Sequence, residues 1–569
     1  MKHLTKWFAL FCSAMLLVVF SACSPKPEEV DTIEALIKTI SISNGGLSGG
    51  DSYTGQVDNQ NFVVTFNDVA AESNIAAVKF NAKLSLGAKL DAESYNFFNE
   101  ADPTATELTQ MLKVINATKV QEYKVIINLS APSKAPLLDK LVMKDAAGNE
   151  YRASVMDNLL LLGMPDAPTA QIAEIVLTPL RSTYEFTTMV DGVLSASDPG
   201  MFRIDFMGLT TEYEVSFATS PTPGADFTQA VVHDFSVATG NVYPDYAGEM
   251  TRGGDFDGQY VLVANRTAPK VFRVEDLLTD NASNPVMLNM TGVDVGTHPV
   301  SAGRLSHGHV YLCNLSVALS PLEPLRVYHY ATPNAEPEVV LSWCGNIGND
   351  TIYKGRLGDN ISVNLDESGN GYVYFAKQEP GDKIYRFTVS NYTHFSDPFE
   401  ISLQTVSSYY GYYNQVADNQ YLFTSSYVPM LWLKDADGND LTSVEFMSTE
   451  GGAKPMHGVD PRIITFNRSR YLLFTVANSQ GMHWNFGPVL YLFDITDGFD
   501  IPAAFVKLQD AMMLETFEPT WEYMFDASGA TVASACTAQT AAAEVDGKLV
   551  IFTAAANAGF ALIEIPKVK

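Results

Sequence analysis

Residues 255–266, DFDGQYVLVANR, place an Asp/Gly turn directly before an almost unbroken apolar run. The same form returns five times: LSHGHVYLCNLS (305–316), ESGNGYVYFAKQ (367–378), VADNQYLFTSSY (416–427), FNRSRYLLFTVA (466–477) and EVDGKLVIFTAA (544–555). Apolar runs of this kind, rich in Val, Tyr and Phe and opened by turn residues, read as strands buried on both faces. They begin at Tyr260, Val310, Tyr372, Tyr421, Tyr471 and Leu549, and a second strand follows each: KVFRV, LRVYHY, KIYRF, MLWLK, VLYLFD and FALIEI. In five units a further strand comes next, as PVMLNM, EVVLSW, PFEISL, LTSVEF and AAFVKL; the sixth unit has none before Lys569.

With the strand leading into each turn, this makes four strands per unit at intervals of about fifty residues, the spacing of propeller blades. The reading is a six-bladed β-propeller over residues 225–569. The intervals are uneven, with insertions after Ser342 and Asp510, and also accommodate five or seven blades. The outer strand that the last unit lacks is expected from upstream, within QAVVHDFSV at 229–237, because that pairing would remove an open sheet edge.

Upstream, residues 32–165 alternate apolar and polar positions in short runs such as IKTISIS, FVVTFND, VKFNAKLSL and YKVIINLS. That period of two is the signature of an antiparallel β-sandwich. TATELTQMLKVI alone looks helical, and KLVMKDAAGNEYRASV reads as a hairpin with a Gly-Asn turn. GMPDAPTA, residues 163–170, carries turn residues and is the linker candidate, opening a small β region over 166–224.

Composition narrows the class. A chain of 569 residues is too long for one core. Its 46% apolar and 11% aromatic content excludes a disordered protein. The net charge of −29 argues against nucleic acid or an anionic lipid surface as partner. A cation, a neutral glycan or solubility alone is compatible with it.

The N-terminus reads as an export signal over residues 1–22, with Lys2 and Lys6 ahead of the apolar run Trp7 to Phe20. It ends at FSAC, and Cys23 has the place of the acylated cysteine of a bacterial lipobox; Phe20 stands where Leu is usual. SPKPEEVD follows as a polar tether, so residues 23–31 form an acidic anchor segment. No later segment is apolar over the length of a membrane-crossing helix. Cys313, Cys344 and Cys536 lack metal or disulfide spacing and read as buried free thiols, with one bridge as the alternative.

Together the lipobox Cys23, the acidic tether and the sandwich-then-propeller order resemble Bacteroidetes-type surface lipoproteins with an Ig-like or cadherin-like N-terminal module and a C-terminal β-propeller. That resemblance implies an outer-membrane, lipid-anchored protein facing the cell exterior. It also implies a partner that is an oligosaccharide or a surface protein, since many such lipoproteins accompany glycan-uptake systems.

Chemistry is less legible. GLSGG at 46–50 matches the G-x-S-x-G elbow but lies in a flexible Gly/Ser tract with no helix after it, so it reads as a loop. Asp435, Asp437, Asn439 and Asp440 in DADGND have the oxygen ligands of a calcium loop, yet no glutamate completes an EF-hand, and a plain turn is the reading. His307 and His309 read as a surface turn, for no third zinc ligand is in view. No catalytic constellation is recognisable, although a glycosidase pair is defined in space and not in sequence.

What remains is positional. Ligands of propellers usually bind at the loops around one mouth of the channel, and those loops here gather aromatic and polar residues. The ligand-binding candidates are Tyr353, Arg356, Tyr409, Tyr410, His457, His483, Trp484 and Trp521, on segments that also hold Tyr243, Tyr246, His298, Lys354 and Tyr523. In SSYYGYYNQ (407–415), Tyr412 and Tyr413 read as packing residues and Tyr409 and Tyr410 as contacts. The expectation is a non-catalytic binding protein without a cofactor. A glycan-active hydrolase or lyase, or a structural adhesion module, are the alternatives.

Overall fold

A computed structural model describes residues 34–568 apart from 48–50, 157, 165–168, 196–199, 218–222, 241, 249, 379–380, 408–410, 418, 426–429, 449–453, 456–457, 477–487, 499, 513–517 and 526–536. The signal and tether segments with Cys23, the GLSGG serine and Cys536 lie outside the described residues. The fold is all-β, with two compact units.

The first unit comprises residues to 44, 52–69 and 75–130. A three-stranded sheet (Asp51–Thr54, Ile37–Gly45, Phe80–Leu84) and a five-stranded sheet share one core. Alternation supplies it: Ile40 and Ile42 from one sheet meet Val64, Phe66, Val125 and Ile127 from the other. Two details differ from the sequence reading. Val63–Val69 pairs in parallel with Lys119–Leu129, so the sandwich is not purely antiparallel. TATELTQMLKVI is no helix: Glu107–Asn116 is a strand with ten pairings to Lys119–Leu129, and Leu112, Val114 and Asn116 are buried at period two. Sheet pairing has overridden the local propensity.

The second unit contains Ala131–Lys569. It opens with a nearly closed, barrel-like sheet of nine strands between Leu137 and Phe217, around a core of Leu141, Met143, Leu160, Phe202 and Tyr213. The expected boundary at 165/166 therefore falls inside one sheet: Leu159–Leu162 and Thr169–Thr178 are both its strands. Two other strands of the sheet lie between them, so the chain on both sides of the tract belongs to one core.

The repeated units form six meander sheets. Their first strands are Thr251–Phe256, His298–Ser306, Ser362–Leu365, Tyr412–Ala417, Gly458–Phe466 and Ala538–Val545. Each first strand packs beside the next, and the sixth packs beside the first, which closes a ring. Close approach needs small residues: a Cβ on Gly253 would lie 3.1 Å from the Gly303 amide of the neighbouring sheet. The outer strand of the sixth sheet is Val231–Ser236, paired along its length with Gly559–Ile565. We call the end of the ring where the first strands begin the upper end, and the opposite end, with the hairpins into the second strands, the turn end.

The fifth sheet corrects one reading. AAFVKL is not its outer strand but part of a helix, Ile501–Met512. Ile501, Ala504, Phe505, Leu508 and Met512 form a buried helical stripe. Asp500 caps the start, accepting the Ala503 amide at 2.7 Å, and Pro502 suits the first turn. The outer strand is Trp521–Met524, where a loop is expected from the sequence.

Candidate functional site

Each of the six first strands sends a group to the middle of the ring. Arg304, from the second sheet, donates to the Asp460 carboxylate of the fifth at 2.9 Å, to the Ile361 carbonyl at 2.9 Å and to the Gly254 carbonyl at 3.0 Å. Asp460 also accepts from Asn414 of the fourth sheet (3.0 Å), from Arg462 (3.1 Å) and from the Thr540 amide of the sixth (3.1 Å). Asn414 in turn accepts from Ser362 of the third sheet at 2.9 Å. Asp255, from the first, accepts the Leu305 amide at 2.8 Å and stands 4.0 Å from Arg304.

These groups are buried, and their electrostatics follow from that. Burial opposes the Arg304 charge, but Asp460 and Asp255 overcome it and raise the guanidinium above its usual value. Burial pushes the Asp255 carboxyl up, against the pull of Arg304 and Arg462. A register shift between Val459 and Arg462, with Asp460 at a φ of 49°, aims that carboxylate inward. The sequence reading missed this network because the repeat was recognised on the second strands. The available signal was a polar residue within each first strand, such as Asp255, Arg304, Asn414 and Asp460.

Three of the eight ligand-binding candidates are described: Tyr353 and Arg356 at the upper end, and Trp521, which the pairing with Leu492 places toward the turn end. Tyr353 is half-buried: its hydroxyl bonds the carbonyls of Arg356 (2.9 Å) and Gln378 (2.8 Å), and its ring lies 5.7 Å from Tyr385. Arg356 holds Asp359 through two hydrogen bonds. Trp521 sits on the outer strand of the fifth sheet, its ring stacked 6.3 Å from Phe227. Tyr353 and Trp521 therefore act in packing. Tyr409, Tyr410, His457, His483 and Trp484 lie outside the described residues. Tyr412 and Tyr413 are buried, as expected for packing residues.

The upper end gathers cations. Arg252 begins the first sheet, and the amide of Arg266 donates to Met250 at 2.8 Å, which sets the two arginines on adjacent strands. His298 opens the second sheet opposite Leu315. Leu357, next to Arg356, bridges Ser316 beside it. The His298 imidazole is held below its ordinary value by burial and then by Arg266, Arg252 and Arg356. Arg252 is 9% exposed and makes no hydrogen bond or ion pair with another described residue.

The other sequence motifs resolve as structure. Asp435 accepts the amides of Asp437 (2.9 Å) and Asn439 (2.8 Å) across its turn, while Asp440 pairs with the buried Lys434. Among the described residues no group of three or more His, Cys, Asp or Glu is arranged to hold a metal ion. His307 and Gly308 form a left-handed turn, with φ of 51° and 80°. His309 stacks on Tyr392 at 3.7 Å and bonds His329 at 2.7 Å. Cys313 is buried and free, and Cys344 is also free.

At the turn end a cleft of about 700 Å³ lies between the nine-stranded sheet and the hairpins of the fourth and fifth repeat sheets. It is crossed by the Arg152–Asp497 pair and by a 2.8 Å bond from Ser154 to the Arg468 carbonyl.

A family described as a domain of unknown function, DUF4623, matches residues 25–183 and 208–568. The crystal structure of a DUF4623 family protein from Bacteroides eggerthii is similar at a TM-score of 0.51 and 23% identity, covering 94% of this chain and 99% of that one. Weaker similarity reaches the WD40 domain of Toxoplasma gondii coronin (TM-score 0.28, 9% identity, 60% of this chain and 86% of that). It also reaches a GH43_1 enzyme from Xanthomonas citri (TM-score 0.25, 12% identity, 41% and 82%). No curated protein matches the chain. With the family match running through both compact units, this chain belongs to the DUF4623 family.

Proposed function

We propose that this protein is a lipid-anchored, non-catalytic binding protein of the cell surface, holding its ligand at the upper end of the ring. The observation that carries this reading is the commitment of two carboxylates, Asp460 at the ring's centre and Asp359 at its upper end. General acid or base work needs a carboxylate able to take and return a proton. Asp460 is instead surrounded by four donors, and Asp359 is held on both oxygens by Arg356. A middle tied across all six first strands suits a rigid frame that presents loops at its end.

In this reading the six sheets are the blades of a propeller and the two-sheet first unit is an Ig-like spacer. The charged n-region, the lipobox Cys23 and the acidic tether support anchoring in the outer membrane. The ligand is an oligosaccharide or a surface protein, contacted by the loops of Tyr409, Tyr410, His457, His483 and Trp484. A glycan-array screen of the soluble chain tests it. Binding lost in Trp484→Ala or Tyr409→Ala, without released product, supports the reading. Product release would replace it with a hydrolase or lyase, and a chain that binds no glycan with an adhesion module.

A further inference from the structure

We infer that the upper end of the ring recognises an anionic group on its ligand, a carboxylate or sulfate carried by an acidic oligosaccharide, with Arg252 as the principal contact and Arg266, His298 and Arg356 around it. This rests on the reading of that end as the ligand-bearing face and specifies the chemistry it takes.

An arginine whose stem is packed into the fold holds its guanidinium in one place, and in folded chains such a group is ordinarily paired. Arg252 is nine-tenths buried, yet no described residue bonds it. Its surroundings do not compensate. The charged neighbours that act on His298 there are Arg266, Arg252 and Arg356, all cationic. Carboxylates described at this end are already engaged: Asp359 by Arg356, Asp245 by Lys270, Asp294 by Arg326, and Glu323 by Thr297 and the Val317 amide.

The contrast with the whole chain sharpens this. The protein has 65 acidic residues against 36 Lys and Arg, so a cluster of cations stands against the charge of the whole. A local excess of positive charge at one end of an acidic molecule instead focuses attraction for an anion at that place. Guanidinium groups match two oxygens of a carboxylate or a sulfate with paired, charge-assisted hydrogen bonds, which a single neutral sugar hydroxyl cannot return. The register supports convergence: Arg266 directly follows the strand paired with that of Arg252, and the Ser316–Leu357 bridge brings Arg356 beside the end of the strand that pairs with His298.

The test is calorimetric titration of the full chain with three oligosaccharides of equal length: one built of uronates, one sulfated and one neutral. The expected result is binding of a charged oligosaccharide at least tenfold tighter than the neutral one, weakening as salt rises. Arg252→Gln should lower that affinity at least tenfold, and Arg252→Lys should restore part of it. Whichever charged oligosaccharide binds tighter identifies the anion as carboxylate or sulfate. If Arg252→Gln does not fold, His298→Gln and the salt dependence of the unaltered protein carry the test. Binding of the neutral oligosaccharide with equal affinity and no salt dependence would overturn the inference and leave the binding face standing. Charged-ligand affinity unchanged in Arg252→Gln would also overturn it, and a chain that binds none of the three would remove both.

Discussion

Arg304 and Asp460 are 156 positions apart in sequence and 2.9 Å apart at the centre of the ring. Their bond joins the second sheet to the fifth, so it forms only when the ring has closed. Asp460→Asn should leave a buried guanidinium short of its main counter-charge and cost about 3–5 kcal/mol. Urea denaturation measures it. Replacing both residues with apolar ones, as Arg304→Met with Asp460→Leu, should cost less than either single change. A loss under about 1 kcal/mol in Asp460→Asn would mean the pair contributes little to holding the ring.

Ring closure has a second lock at the outer edge of the sixth sheet. Val231–Ser236 pairs with Gly559–Ile565, and Phe235 stacks on Phe560 with centroids 4.8 Å apart. The hydroxyl of Tyr523, on the outer strand of the fifth sheet, reaches Ser236 at 2.9 Å. Phe235→Ala should remove about 3 kcal/mol. It should also open the edge at 231–236 to limited proteolysis before the other sheets are cut. Uniform cleavage across the chain would count against a closing strand.

The stacked histidines make stability depend on pH. Burial, then the neighbouring His309, hold His329 down at about 4, against 6.5 for an unperturbed imidazole. Between those values the unfolded chain binds a proton that the folded chain refuses. The neutral imidazole's contribution is therefore complete above pH 6.5 and lost as pH falls toward 4. Denaturation at pH 7 and pH 5 should differ by on the order of 2 kcal/mol more in the natural protein than in His329→Gln. Equal differences in the two proteins would show that His329 does not report on folding.

Legibility followed the period of the sequence. The second strands carry apolar runs after Asp/Gly turns, so the repeat and the upstream closing strand could be read directly. Ile501–Met512 was equally readable from Ile501, Ala504, Phe505, Leu508 and Met512, but six of its residues also make an acceptable strand, and length should have decided for helix. The boundary near 165 was not readable, because turn residues look alike within a sheet and between domains. The central network was invisible for a different reason. Arg304, Asp460, Asn414 and Asp255 are scattered singly, and only closure of the ring brings them together. Arg252 belongs to the same class: an arginine acquires meaning as a site when its burial and its missing partner are known.

Trp521 separates a packing role from a contact role by experiment. On sequence it belonged with the loop aromatics, but it lies on a paired strand, opposite Leu492 and stacked on Phe227. Phe227 also meets Tyr471 edge-on at 5.7 Å, so the indole extends a core cluster shared by the fifth and sixth sheets. Trp521→Ala should therefore lower stability by about 2–3 kcal/mol, less than a fully buried tryptophan because the side chain is half-buried. Ligand affinity measured well below the unfolding temperature should stay within threefold of the natural protein. A variant with unchanged melting and a tenfold weaker affinity would return Trp521 to the binding face. That outcome would require the outer strand of the fifth sheet to present its indole to ligand instead of to Phe227.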